Sequence, residues 1–139
     1  MTPAVDNRIR FEGVAITRPA PGQIRATVTL RWHNGEELQG LYDDQDTEIG
    51  VMRAVSAATS AALEQAVDDR VRLRLVGVKT VAAFDAILVV VALASRLDDH
   101  EQQLVGSCVI KEDVEHAAVR AVLSATNRLL GSNLIYLRW

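Results

Sequence analysis

The heptapeptide Arg8-Ile9-Arg10-Phe11-Glu12-Gly13-Val14 returns 64 residues later as Arg72-Leu73-Arg74-Leu75-Val76-Gly77-Val78. Two more segments return in the same order. ELQG, ending at Gly40, is matched by QLVG, ending at Gly106, and RAVSAATSAALE from Arg53 by RAVLSATNRLLG from Arg120. The offset drifts only from 64 to 67, and the drift falls where loops are expected, between RPAPGQ and AAFDA and around the second hairpins. An internal repeat decides architecture before any local assignment is made. Two units of about 60 residues are implied, spanning about 8–67 and 71–131, with a C-terminal tail at 132–139.

Working outward from the heptapeptide, each unit reads as three strands and a helix. Ile24, Ala26, Val28, Leu30 and Trp32 alternate with Arg25, Thr27, Thr29 and Arg31, the period of a strand with one face in a core and one in water. Arg8 to Ile16 alternates similarly, and Pro19, Pro21 and Gly22 mark the turn between the two strands. His33-Asn34-Gly35 predicts a tight hairpin into Glu37 to Tyr42. From about Thr47 to Val67 the spacing becomes helical, with Asp44, Asp46 or Thr47 available as a cap. The second unit predicts strands at Val71–Val78, Ala86–Leu97 and Gln103–Ile110. A helix follows from about Asp113 to Leu130, stopped by Gly131. The fold class is α+β: two tandem βββα units related by a pseudo-twofold axis, with helices packed on antiparallel sheets. Both helices present mainly alanine on their apolar faces, which favours close approach.

The run Ala86 to Ala94 (AILVVVALA) lacks polar alternation, so both of its faces are expected to be covered, one of them by the other unit or a second chain. The tail NLIYLRW is a second apolar segment in need of a surface. A homodimer is therefore expected.

Length and composition bound the function classes. At 139 residues, 49% hydrophobic and 24% charged, the chain suits one globular domain and excludes wholesale disorder. Fifteen Lys and Arg against eighteen Asp and Glu lack the basic footprint of a phosphate-backbone binder, which disfavours nucleic acid as a partner. Cys108 is the single cysteine, so no intramolecular disulfide forms and a reducing, cytoplasmic setting is expected. The N-terminus lacks a signal-peptide core, and the longest apolar run is about half a membrane span, so no membrane partner is expected.

The order of the two units, together with the closing segment GSCVIKEDVEHAAVRAVLSATNRLL, resembles the C-terminal regulatory domain of the 2-isopropylmalate synthase and citramalate synthase family. The resemblance runs from about Arg8 to Leu130 and is carried best by Gly106, Asp113, Val114, Glu115, Ala117, Ala118, Ala121, Ala125 and Asn127. The family's G-x-G-P turn before the first helix is replaced here by Gly40 and LYDDQDTE. The resemblance implies a domain that dimerises and binds an end-product amino acid. The catalytic barrel has no room here, and the metal-binding His-x-His segment is absent from the sequence, so no synthase activity is implied.

The residues that could carry chemistry give no catalytic constellation, cofactor or metal site. Asp43, Asp44, Asp46 and Glu48 lack the spacing and glycine of a calcium loop and suit a helix start. Asp98, Asp99, His100 and Glu101 read as a polar hairpin loop. His33 and His116 could pair on a metal only if the units bring them together. Cys108 reads as a small buried hydrophobe, and Thr59, Ser60, Ser124 and Thr126 lie on helices without a nucleophile elbow. Arg8, Arg10, Arg25, Arg31, Arg72 and Arg74 are expected to share one outer sheet face.

Backbone donors at helix starts attract carboxylates, so the candidate ligand residues are Gly40, Tyr42 and Thr47 before the first helix and Gly106, Cys108 and Asp113 before the second, with both glycines read as turn residues. The expected function is a non-catalytic, homodimeric regulatory module for a small amino-acid-like ligand. A structural adaptor holding a protein partner is the alternative, and nucleic-acid binding through the arginines or a small enzyme stand behind it.

Overall fold

The computed structural model describes residues 9–32, 35–67 and 70–138, with side chains through Asn127. Arg8, His33, Asn34 and Trp139 lie outside those residues. The element order is β1 (Arg10–Thr17), β2 (Gln23–Arg31), β3 (Glu37–Gln45), α1 (Glu48–Ala66), β4 (Val71–Ala83), β5 (Ala86–Leu97), β6 (His100–Val109) and α2 (Val114–Arg138). The strands form two antiparallel three-stranded meanders, β1-β2-β3 and β4-β5-β6, so each half is a βββα unit.

The repeated heptapeptide is a repeated piece of geometry. The β1–β2 register slips between Phe11 and Gly13, and the β4–β5 register slips between Leu75 and Gly77. Each first strand therefore carries a bulge, at Glu12 and at Val76, just before the glycine that follows in both copies. Turn chemistry follows the sequence elsewhere. Gly22 takes φ +77° and Gly35 takes φ +85°, and the Gly35 N–H donates to the Trp32 carbonyl at 2.9 Å. At AAFDA, Phe84 and Asp85 hold φ of +52° and +61°, the paired left-handed geometry that matches a two-residue turn to strand twist.

Alternation along β2 buries Ile24, Ala26, Val28 and Leu30 against α1, and along β5 buries Val89, Val91 and Leu93 against α2. Helix α1 packs on β2 and β3 of its own sheet and also on β4 and α2, while α2 packs on β5 and β6 and touches β1. The helices thus lie between the sheets. For this reason burial on α1 exceeds one stripe, taking in Met52, Val55, Ser56, Thr59, Ser60 and Leu63 together. Two of the buried hydroxyls bond within the helix, Thr59 to the Val55 carbonyl at 2.7 Å and Ser60 to that of Ser56 at 3.0 Å, whereas the buried Ser56 Oγ has no hydrogen-bond partner. The Glu64 carboxylate accepts from the Leu73 N–H at 2.9 Å and ties the first helix to the second sheet.

One expectation is corrected. Gly131 does not end the second helix, which continues to Arg138, so most of the tail is helix and not a separate segment. A glycine costs a helix only about 1 kcal/mol relative to alanine, and Ser132 to Arg138 bring no proline to finish the stop. Of the two covers expected for the outer face of β5, the other unit does not supply one within this chain. Val89, Val91 and Leu93 are sealed by α2, whereas Leu88, Val90, Ala92 and Ala94 remain half-buried on a face where no other described element packs.

Candidate ligand site

Helix α1 begins where Thr47, extended at φ −133°, accepts the Gly50 N–H on its hydroxyl at 2.9 Å. Helix α2 begins after Asp113, whose carboxylate accepts the His116 N–H at 2.7 Å and faces the His116 Nδ1 at 2.7 and 2.9 Å. Part of each positive helix end is therefore occupied by the chain's own cap. The His116 N–H, and then its ring, hold the Asp113 carboxyl below the usual carboxylate range.

The acidic run before α1 is committed to arginines. Asp43 takes both ends of the Arg25 guanidinium at 2.8 and 3.0 Å, Asp44 takes Arg53 at 3.1 and 3.0 Å, and Asp46 meets Arg18 at 2.9 Å. These bonds lower the Asp43 and Asp44 carboxyls, from Arg25 and Arg53 respectively. The cluster is ion-paired as well as solvated, which leaves these three carboxylates poorly placed to gather a cation.

The arginines do not share one face. Arg10, Arg25 and Arg31 lie on the outer face of the first sheet, and Arg72 and Arg74 on that of the second. Carboxylates interleave them: Arg31 donates to Glu12 at 2.6 Å, and Arg74 stands 3.9 Å from Glu101. Two separate sheets carry the strands, so no continuous cationic track forms from these residues.

Two clefts open beside the third strands and the helices. One, about 280 Å³, is lined by Cys108, Val109, Lys111, Glu112, Asp113, His116, Ala117 and Arg120 at the start of α2. The other, about 410 Å³, is lined by Tyr42, Asp44, Arg53, Ala57, Ala61, Glu64 and residues 73–75 of β4. They share two matched positions of the repeat: Tyr42 and Cys108 follow the matched glycines, and Arg53 and Arg120 open the matched RAV segments.

The structure gathers Cys108 and Asp113 into one cleft and places Tyr42 in the other, while Gly40, Thr47 and Gly106 line neither. Gly40 and Gly106 are strand residues, paired with Val28 and Val91, and not turn residues as expected. A Cβ on Gly40 would overlap the Ala58 carbonyl oxygen and stand 2.8 Å from the Ala62 nitrogen, and one on Gly106 would overlap the Ala121 carbonyl oxygen. Each glycine lets a helix backbone lie directly on its strand. Their bareness serves packing, and a tertiary contact of this kind leaves no local mark that distinguishes it from a turn.

Arg120, Lys111 and Arg53 are cleft residues that the sequence reading did not select. A usable signal existed, since the same arginine opens both alanine-rich helical segments. The α2 cleft is chemically mixed. Lys111 and Arg120 offer cations, Glu112 and Asp113 anions, and Val109 and Ala117 an apolar wall. Glu112, Asp113 and His116 can each bring one ligand atom within 4.8 Å of the others, but the Asp113–His116 pair is already spent on capping the helix. Cys108 is half-buried in β6, its Sγ 3.5 Å from the Val109 carbonyl. His116 also packs its ring on Phe11, with centroids 5.3 Å apart, which ties the cleft to the first sheet. No helix among the described residues is long and apolar enough to cross a membrane. No family model and no curated protein matches the chain.

Proposed function

We propose that the protein is a non-catalytic, homodimeric regulatory module of the cytoplasm that binds a small amino-acid-like ligand beside the start of α2. In this reading the two units stand about a pseudo-twofold axis and the cleft at α1 is a second, related site. The observation that carries the proposal is the pairing of opposite charges with an apolar wall in one cleft. Lys111 and Arg120 suit a carboxylate, Glu112 an ammonium group, and Val109 and Ala117 a short aliphatic side chain, with the helix-capping Asp113 beside them. The division of the arginines between two faces, with Arg25 and Arg31 held by carboxylates, weighs against a nucleic-acid track.

The test is a thermal-shift screen with branched-chain amino acids and 2-oxo acids, followed by the same screen on Arg120→Ala. A ligand that binds only the folded chain stabilises it by about 2.7 kcal/mol at a hundred times its Kd. The expected result is a shift for an amino acid, weaker for the matching oxo acid, and lost in Arg120→Ala while the unliganded melt is unchanged. A panel without any shift removes the ligand from the proposal. The structural-adaptor reading then takes its place, supported by the apolar outer face of the second sheet.

A further inference from the structure

Each half of the repeat places one arginine in its cleft, and only one of the two is engaged by the chain itself. Arg53 and Arg120 open the matched helical segments, and each lines the cleft of its own unit. Arg53 donates through Nε and Nη2 to the two carboxylate oxygens of Asp44, at 3.1 and 3.0 Å. That two-point geometry is how a guanidinium holds any carboxylate, including one on a small molecule. Asp44 is also the most enclosed of the three acidic side chains paired before α1, at 16% exposed against 32% for Asp46 and 49% for Asp43. A pair drawn out of water in this way is screened less than its exposed neighbours. The other charges of the α1 cleft have partners too, Glu64 in the Leu73 N–H and Arg74 in Glu101 at 3.9 Å.

The second copy has no counterpart of Asp44. Asp44 stands four residues after Gly40, and the residue four after Gly106 is Ile110, which packs against the core. Of the carboxylates in the α2 cleft, Asp113 caps the helix and Glu112 groups with Asp113 and His116. Among the described residues Arg120 and Lys111 make no hydrogen bond or ion pair. Arg120 therefore presents the same fork at the matched place in the repeat, and no carboxylate of the chain engages it. At the α1 cleft an external ligand reaches Arg53 only by displacing Asp44, which the chain holds there at an effective concentration of about millimolar or higher.

We infer that Asp44 is a built-in carboxylate that holds the α1 cleft against an external one, so that both clefts suit a carboxylate-bearing small molecule and the α2 cleft takes it first. This rests on the ligand proposed at α2 and adds the residue that ranks the two clefts. The experiment is a proton–nitrogen NMR titration with leucine, followed at the backbone and at the arginine Nε–H groups. It is run on the full chain as wild type, Asp44→Ala and Asp44→Asn, with circular dichroism confirming the fold of each. In wild type the signals between Cys108 and Arg120 should saturate at a leucine concentration at least tenfold below that needed around Tyr42 and Arg53. In Asp44→Ala the midpoint around Arg53 should fall at least tenfold while that at Arg120 stays in place. Asp44→Asn keeps the shape without the charge and should fall between the two, which also serves if Asp44→Ala fails to fold. A midpoint around Arg53 that neither variant moves overturns the inference and leaves the α2 ligand standing. Saturation around Arg53 in Asp44→Ala without shifts near Arg120 in any of the three proteins overturns the ranking together with the α2 site. Shifts in none of the three, at either cleft, overturn both.

Discussion

Replacing Gly106 with alanine adds one methyl group to a strand, yet it should be among the most damaging single changes in the protein. The added Cβ would overlap the Ala121 carbonyl oxygen and stand 2.8 Å from the Ala125 Cα. Carbon atoms in good contact stand about 3.5–4.0 Å apart, so α2 must retreat by about 1 Å. The obstructing atoms are helix backbone and cannot turn aside as a side chain could. Retreat loosens Ala117, Ala118, Ala121 and Ala125 together, because alanines have no length with which to follow the sheet. A gap of that size forfeits about a quarter to a half of each contact's attraction. The expected loss is about 3 kcal/mol, the upper part of the usual overpacking range. In a chain of this size that lowers Tm by about 10 °C in a calorimetric or dichroism melt.

Gly13→Ala and Gly77→Ala supply the control. Nothing lies within 4 Å of either new Cβ and neither glycine needs a positive φ, so both variants should melt at or slightly above wild type. If Gly106→Ala melts with them, the close helix-on-strand packing is wrong.

Three further outcomes follow from the same contacts. Thr47→Ala should cost about 1 kcal/mol in urea unfolding by leaving the Gly50 N–H without its cap. Leu93→Ala, a cavity at the centre of the second core, should cost about 3 kcal/mol in the same assay. Asp43, Asp44 and Asp113 have folded-state pKa values below their unfolded ones, so their contribution is complete above about pH 4 and is lost as pH falls through the folded values. Unfolding free energy measured from pH 6 downward should therefore decline below about pH 4, and Asp44→Asn with Asp113→Asn should flatten that decline.

The repeat, the strand order and most strand positions were legible because each rests on local pattern. β2 alternates because only one of its faces meets a helix, and the Gly-Val pair ends a bulge in both copies. The end of α2 was not legible. Gly131 resembles a stop, but a stop also needs a left-handed residue and a chain that turns away, and neither is written in SNLIYLR. The sheet-borne glycines were misread because ELQGLY and QLVGSC look alike whether the glycine turns the chain or admits a helix. At the candidate site the region was legible and its cations were not. Cys108 and Asp113 lie near the helix start in sequence, whereas Arg120 reaches the cleft only because two turns of α2 carry it there. A single arginine on an alanine-rich helix reads as a solvent contact until the sheet is placed beside it.

The most direct test of the proposed function is a proton–nitrogen NMR titration of the wild-type chain with the branched-chain amino acid that gives the largest thermal shift, or with leucine if none does. The account predicts saturable shifts concentrated between Cys108 and Arg120, a weaker set around Tyr42 and Arg53, and no movement along β2. Spectra that stay unchanged to millimolar amino acid, or shifts centred on Arg25, Arg31 and Arg74, would contradict it.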